Sequence, residues 1–177
     1  MTDLTIHGYE FSVYCRIVSM ICHEKGIGID WREVNPFDAS AMPENYGQLH
    51  PFYSVPVLEH QDFTLYETAA ITRYIDEAFP KPPLQPGEPR QRARMVQIIA
   101  AVDAYGYWPL VRQVFSQRVF GPAFGEPVDQ VALSEGLESS KIVLAALEDL
   151  AAADVYLAGG QVSLADFHLA AMIDYFA

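Results

Sequence analysis

Residues 9–18 read YEFSVYCRIV and follow directly on the run LTIHG at 4–8. Leu4 and Ile6 alternate with polar neighbours, which is the period of a strand. From about Tyr14 the apolar residues Ile17, Met20 and Ile21 recur at helical spacing. A first strand therefore turns into a first helix within this stretch, and the turn carries Ser12 with Cys15 three residues on. A hydroxyl at a helix start is ordinarily an N-cap. A thiol beside it is a redox group or a packing residue. The helix closes at EKG, a basic last turn with Gly26 as a left-handed cap.

Outward from this start the period keeps changing. IGIDWREV (27–34) alternates again, with Ile27, Ile29 and Trp31 on one side. Residues 37–50 are polar and loosely patterned, a loop with a short helix. VPVLEH (55–60) and FTLY (63–66) read as two short strands joined by a polar turn at Gln61-Asp62. ETAAITRYIDEAF (67–79) sets Ala70, Ile71, Tyr74, Ile75 and Ala78 on one helical stripe. The order is βαβ, loop, ββα, with a parallel first pair and a hairpin on the same sheet.

PKPPLQPGEP (80–89) holds five prolines and fits neither helix nor central strand. It is a stiff linker that divides the chain into domains at 1–79 and 90–177. Beyond it every pattern is helical. Met95, Ile98, Ile99 and Val102 start a long helix that continues through Val111, Val114 and Phe115 past a bend at Pro109. Leu133, Leu137, Leu144 and Leu147 mark another. A last helix opens at VSLADF, where Ser163 and Asp166 form a capping box and Val162 and Phe167 a hydrophobic staple.

Composition narrows the function classes. The 177 residues are 51% apolar and 19% charged, as in a globular protein with a real core. With 23 acidic and 11 basic side chains the formal charge is −12, which disfavours nucleic acid and anionic membranes as partners. No stretch has the roughly 18 apolar residues of a membrane span, and the N-terminus lacks a secretory layout. Cys15 and Cys22, seven residues apart on one helix, are separated by about 10.5 Å, too far to bridge. Reduced thiols point to the cytoplasm. The five histidines show no paired ligand spacing, so no metal is expected, and no Gly-rich phosphate loop is present.

Four ordered blocks carry a resemblance: SVYCR after the first strand, HPFYSVPVL before the hairpin, YETAAITRYI at the third helix and LAGGQVSLADFHLAAM at the late helix. Together they resemble the glutathione S-transferases, in particular the serine-dependent theta, delta and related bacterial classes. The implied fold is α/β plus all-α: a thioredoxin-like βαβ-ββα domain followed by a helical domain. Relatives continue through further helices, so a chain ending at Ala177 is expected to leave the helical domain incomplete. Where those classes have S-x-P-C-R, Tyr14 replaces the proline.

The resemblance implies a cytosolic enzyme of detoxification that uses glutathione as co-substrate and acts on a small hydrophobic electrophile, as a homodimer and without metal. Ser12 would donate a hydrogen bond to the glutathione thiolate, with Tyr14 and Tyr9 as rival donors. Val55, before a cis Pro56, would offer its backbone to the cysteinyl unit, and Ser54 replaces a longer contact residue. Glu67 and Thr68 would receive the γ-glutamyl end. Tyr105, Tyr107, Trp108 and Arg112 would line the electrophile site, and Asp103 would reach glutathione across a dimer interface. Two other functions stay open: a non-catalytic binding or assembly module of the same fold, and a thiol transferase that uses Cys15.

Overall fold

The computed structural model describes residues 4–151 and 154–177. The first three residues of the first domain, and of the N-terminus read as lacking a secretory layout, lie outside the described residues. The chain forms two compact units, one ending at Pro83 and the other running from Leu84 to Ala177.

The first unit is built on a four-stranded sheet of order β2-β1-β3-β4. β1 (Leu4–Gly8) pairs in parallel with β2 (Asp30–Glu33) and antiparallel with β3 (Val57–His60). β3 in turn pairs antiparallel with β4 (Phe63–Tyr66). The parallel pair requires a crossover, which α1 (Val13–Glu24) supplies. Gly8 is fixed by the edge strand: a Cβ there would lie 2.4 Å from the Trp31 ring. α2 (Tyr46–Leu49) lies in the long loop, and α3 (Thr68–Ala78) follows β4. Leu4, Ile6, Ile17, Ile21, Leu58, Ile71 and Ile75 are fully buried, which is the alternation and the helical spacing that the sequence displays.

The α3 stripe departs from its apolar pattern. Ala70 and Ala78 are exposed, while Thr72 and Asp76 join Ile71 and Ile75 on the buried face. Asp76 is there because Lys25, at the end of α1, is buried opposite it, with Nζ 2.7 Å from the carboxylate. The same ammonium donates to the Pro82 carbonyl at 2.6 Å. One buried cation thus joins α1, α3 and the chain leaving α3.

The second unit is helical. α4 (Pro89–Ala101) is capped by Glu88, whose carboxylate accepts the Gln91 N–H at 2.9 Å. It runs into a wide π-type segment, Val102–Phe120, instead of a bent α-helix. Pro109 lies inside this segment, where its missing N–H and its ring oppose ordinary α geometry. A single turn, α5 (Gly121–Ala123), then leads to α6 (Gln130–Leu150) and α7 (Leu164–Phe176).

α6 meets the π-type segment through small residues. A Cβ on Gly136 would lie 2.6 Å from Gln113 Cβ, and Gly136, Ser140 and Leu147 are buried while Leu133, Leu137 and Leu144 are only half-buried. Leucine spacing alone shows the neighbourhood of this contact and not its closest approach. At α7 the capping box forms. Asp166 accepts from the Ser163 N–H at 2.8 Å and its hydroxyl at 2.7 Å, and from the Leu157 N–H at 3.0 Å. Phe167 of the staple is buried.

Candidate functional site

Strand register gathers the first unit's candidate residues. His7 of β1 lies opposite Val57 of β3, and Val57 lies opposite Tyr66 of β4. The segments that leave β1, enter β3 and leave β4 therefore share one end of the sheet. Those segments contain Ser12, the run Ser54–Val55–Pro56, and Glu67–Thr68.

Ser12 is the N-cap of α1 in extended backbone (φ −89°, ψ 120°). Its Oγ accepts the Cys15 N–H at a long 3.4 Å, beyond the usual range for such bonds. The cap is thus weak. Cys15 Sγ accepts the Tyr9 N–H at 3.4 Å. Burial pushes the Cys15 thiol up to about 11, against hydrogen bonds from the Ser12 hydroxyl and the Tyr9 backbone that favour the thiolate. Cys15 and Cys22 are both reduced and buried. Tyr9, half-buried, is pushed up by burial and by the carboxylates of Glu10 and Glu33. Its ring meets Phe11 and Phe37 edge-on, at 5.4 and 5.9 Å. Tyr14 is half-buried on α1.

Val55–Pro56 is a cis peptide bond. Ser54 is exposed, and its hydroxyl donates to the Phe52 carbonyl at 3.3 Å. The Ser54 carbonyl accepts from the hydroxyl of buried Tyr46 at 3.0 Å. Burial pushes the Tyr46 phenol well up, the Cys15 sulfur adding to the effect, so it remains a donor. Glu67 occupies positive φ (71°) at the N-cap of α3, and its side chain does not cap the helix it begins. Its carbonyl accepts the Ala70 and Ile71 N–H groups. The earlier amides of a helix have no partner within it and attract anions. Thr68 is buried beside them.

On the second unit, Tyr105, Trp108 and Arg112 are exposed on the π-type segment and Tyr107 is half-buried. Asp103 is one-quarter exposed, with Oδ1 3.4 Å from Nδ1 of the fully buried His168. Among the described residues no cluster of three His, Cys, Asp or Glu side chains is arranged to hold a metal. No helix among them is long and apolar enough to cross a membrane. Two residues of the loop before β3, Tyr46 and His50, are buried with little sign of it in the sequence. Tyr46 was hidden by its polar loop. His50 left one local signal, a polar ring two residues before a backbone N–H in a proline-containing turn.

Two family models match: "Glutathione S-transferase, N-terminal domain" over residues 6–83 and "Glutathione S-transferase, C-terminal domain" over residues 107–177. The chain is 30% identical over 175 residues to glutathione S-transferase F13 of Arabidopsis thaliana, covering 98% of this chain and 80% of that protein. It is 35% identical over 109 residues to the stringent starvation protein A homolog of Haemophilus influenzae, covering 62% of this chain and 50% of that protein. Among solved structures it matches the theta-class glutathione S-transferase of Xanthomonas axonopodis pv. citri with glutathione bound, at a TM-score of 0.83 and 26% identity. That match covers 98% of this chain and 82% of the other.

Proposed function

This chain belongs to the glutathione S-transferase family, and we propose that its first unit binds glutathione and ionises the tripeptide's thiol for attack on an apolar electrophile. The observation that carries the reading is the shared sheet end. A weakly engaged hydroxyl, a cis X–Pro strand entry and an uncapped helix start converge there. Val55 offers its backbone to the cysteinyl unit, as an added strand would. The α3 amides and Thr68 receive the γ-glutamyl carboxylate, and Glu67 receives its ammonium group.

The thiol chemistry follows from magnitudes. A free thiol has a pKa near 8.5, and lowering it by about two units needs roughly 2.7 kcal/mol of thiolate stabilisation. One hydrogen bond to a charged group supplies about 1.5–3 kcal/mol, and a helix N-terminus about 0.3–1 kcal/mol. Ser12 at the start of α1 provides both. The thiol proton leaves to solvent, and the sulfur lone pair forms the new bond to the electrophilic centre. As it forms, a bond of that centre breaks, its electron pair leaving with the displaced group or moving to the neighbouring atom of an activated double bond. Tyr105, Tyr107, Trp108 and Arg112 are assigned to holding that electrophile. The active form is a homodimer in the cytoplasm, with Asp103 reaching the glutathione ammonium of the other subunit.

Cys15 does not fit a nucleophile's role, because burial keeps it protonated far above neutral pH. Ser54, exposed where a longer contact residue is expected, favours a second reading, a transferase-like module without transfer chemistry. Calorimetric titration with glutathione, combined with thiolate absorbance against pH, separates the two. We expect binding, a bound-thiol pKa below the free value, and loss of that depression in Ser12→Ala with glutathione still bound. No binding at millimolar glutathione would leave the non-catalytic module.

A further inference from the structure

His50 is 4% exposed and ties together the loop between α2 and β3. Its N–H donates to the Tyr46 carbonyl at 3.0 Å, closing α2, and its carbonyl accepts the Tyr53 N–H at 3.0 Å. Its Nδ1 accepts the Phe52 N–H at 3.2 Å. The imidazole packs at a tilt of 36° against Tyr66 at the end of β4, with centroids 4.6 Å apart, and meets Phe52 edge-on at 5.9 Å. One ring therefore joins the loop that enters β3 to the strand end that delivers Glu67.

The Phe52 bond has the form of an Asx-turn, in which a side-chain oxygen accepts the N–H two residues on. An imidazole can do this only from an unprotonated nitrogen. A backbone N–H is always a donor, so Nδ1 must be bare and the proton must sit on Nε2. Protonation would set two N–H donors against each other inside a buried turn.

We propose that His50 is a positioning residue of the glutathione site: by accepting the Phe52 amide, its neutral ring holds Ser54, Val55 and Pro56 in place. Glutathione affinity then falls as the ring takes up a proton. This rests on reading the first unit as a glutathione site. The titratable groups around the ring are Tyr46 of α2, Tyr53 of the loop, Tyr66 of β4 and Glu67 at the start of α3. Beyond Tyr46, whose ring His7 meets edge-on at 6.2 Å, His7 is paired with Glu59. Of the surrounding groups Glu67 is the one that favours the imidazolium. Burial outweighs it and holds His50 below the ordinary histidine range.

The test measures binding of S-methylglutathione, which has no thiol to titrate, to wild type and His50→Asn between pH 7.5 and pH 5. Asparagine keeps the acceptor for the Phe52 amide and cannot be protonated. We expect wild-type affinity to weaken by about 3- to 10-fold across the range, the worth of one hydrogen bond. H50N should bind S-methylglutathione no more tightly than wild type at pH 7.5 and should lose that share of the pH dependence. ¹⁵N NMR of wild type should show a bare Nδ1 at pH 7.5, with the Phe52 amide shifting along the His50 titration. Parallel pH profiles in the two proteins, or a proton on Nδ1, would overturn the role of His50. No binding by either protein at pH 7.5 would instead overturn the glutathione reading and the inference resting on it.

Discussion

Ser12 and Cys15 occupy one turn, yet their surroundings give them opposite chemistry. The Ser12 oxygen accepts one long bond from the Cys15 backbone, and its hydroxyl also hydrogen-bonds the Cys15 sulfur, from which it must turn to serve a bound thiolate. The thiol is buried and stays protonated, at about 11 for Cys15 and about 12 for Cys22. At pH 8 a group three units below its pKa is about 0.1% ionised, and the thiolate is the reactive form. Both thiols in the native protein should therefore react with an aromatic disulfide reagent at least about 100-fold more slowly than in urea. Rapid native labelling of Cys15, followed as released thiolate absorbance, would return the thiol-transferase reading. His50 shows the same influence of burial on a base. Because its folded pKa lies below the unfolded value, the unfolded chain binds the proton more readily, and this residue's share of stability is lost as pH falls from about 6.5 through the folded pKa.

Elements in the first unit are joined by a few polar contacts among many apolar ones. Lys25 is the clearest, completely buried with its ammonium between Asp76 of α3 and the Pro82 carbonyl. Removing one partner of a buried pair strands the other charge away from water. Lys25→Ala is expected to destabilise the protein by about 3–5 kcal/mol, read as a lowered urea midpoint with an unchanged slope. A cost below about 1 kcal/mol, the range of a surface pair, would show that the cation does not join α1 to α3. In the second unit Asp166 has the corresponding part, its two oxygens accepting three donors from the start of α7 and the segment before it.

At the scale of the whole molecule, two units, each with its own core, divide the chain at Pro83 and Leu84. Phe52 and Tyr53 of the first and Tyr105 and Trp108 of the second are large apolar residues left in solvent. Exposed aromatic surface of this kind marks interfaces and ligand grooves. With the proposed homodimer, sedimentation velocity at micromolar concentration should give twice the single-chain mass. A single-chain mass would withdraw the cross-subunit role of Asp103 and leave it to its contact with His168.

Features that local chemistry encodes are legible along the chain. The strand-to-helix turn at Ser12, the Val55-Pro56 strand entry, the capping box at Ser163 and the proline-rich segment after Phe79 each lie within a few residues and follow from propensity, period and donor count. The shared sheet end was decided only in three dimensions, because it depends on the pairing of His7 with Val57 and of Val57 with Tyr66. The same holds for Asp76, which period assigns to solvent until Lys25 arrives from another helix. It holds for Gly136, where the missing side chain is the contact. His50 is the fullest case: one local bond is visible as spacing, but its burial and its packing against Tyr66 come from the fold. Period and propensity describe a residue's neighbours along the chain, whereas burial and pairing depend on groups that chain reversal brings from far away.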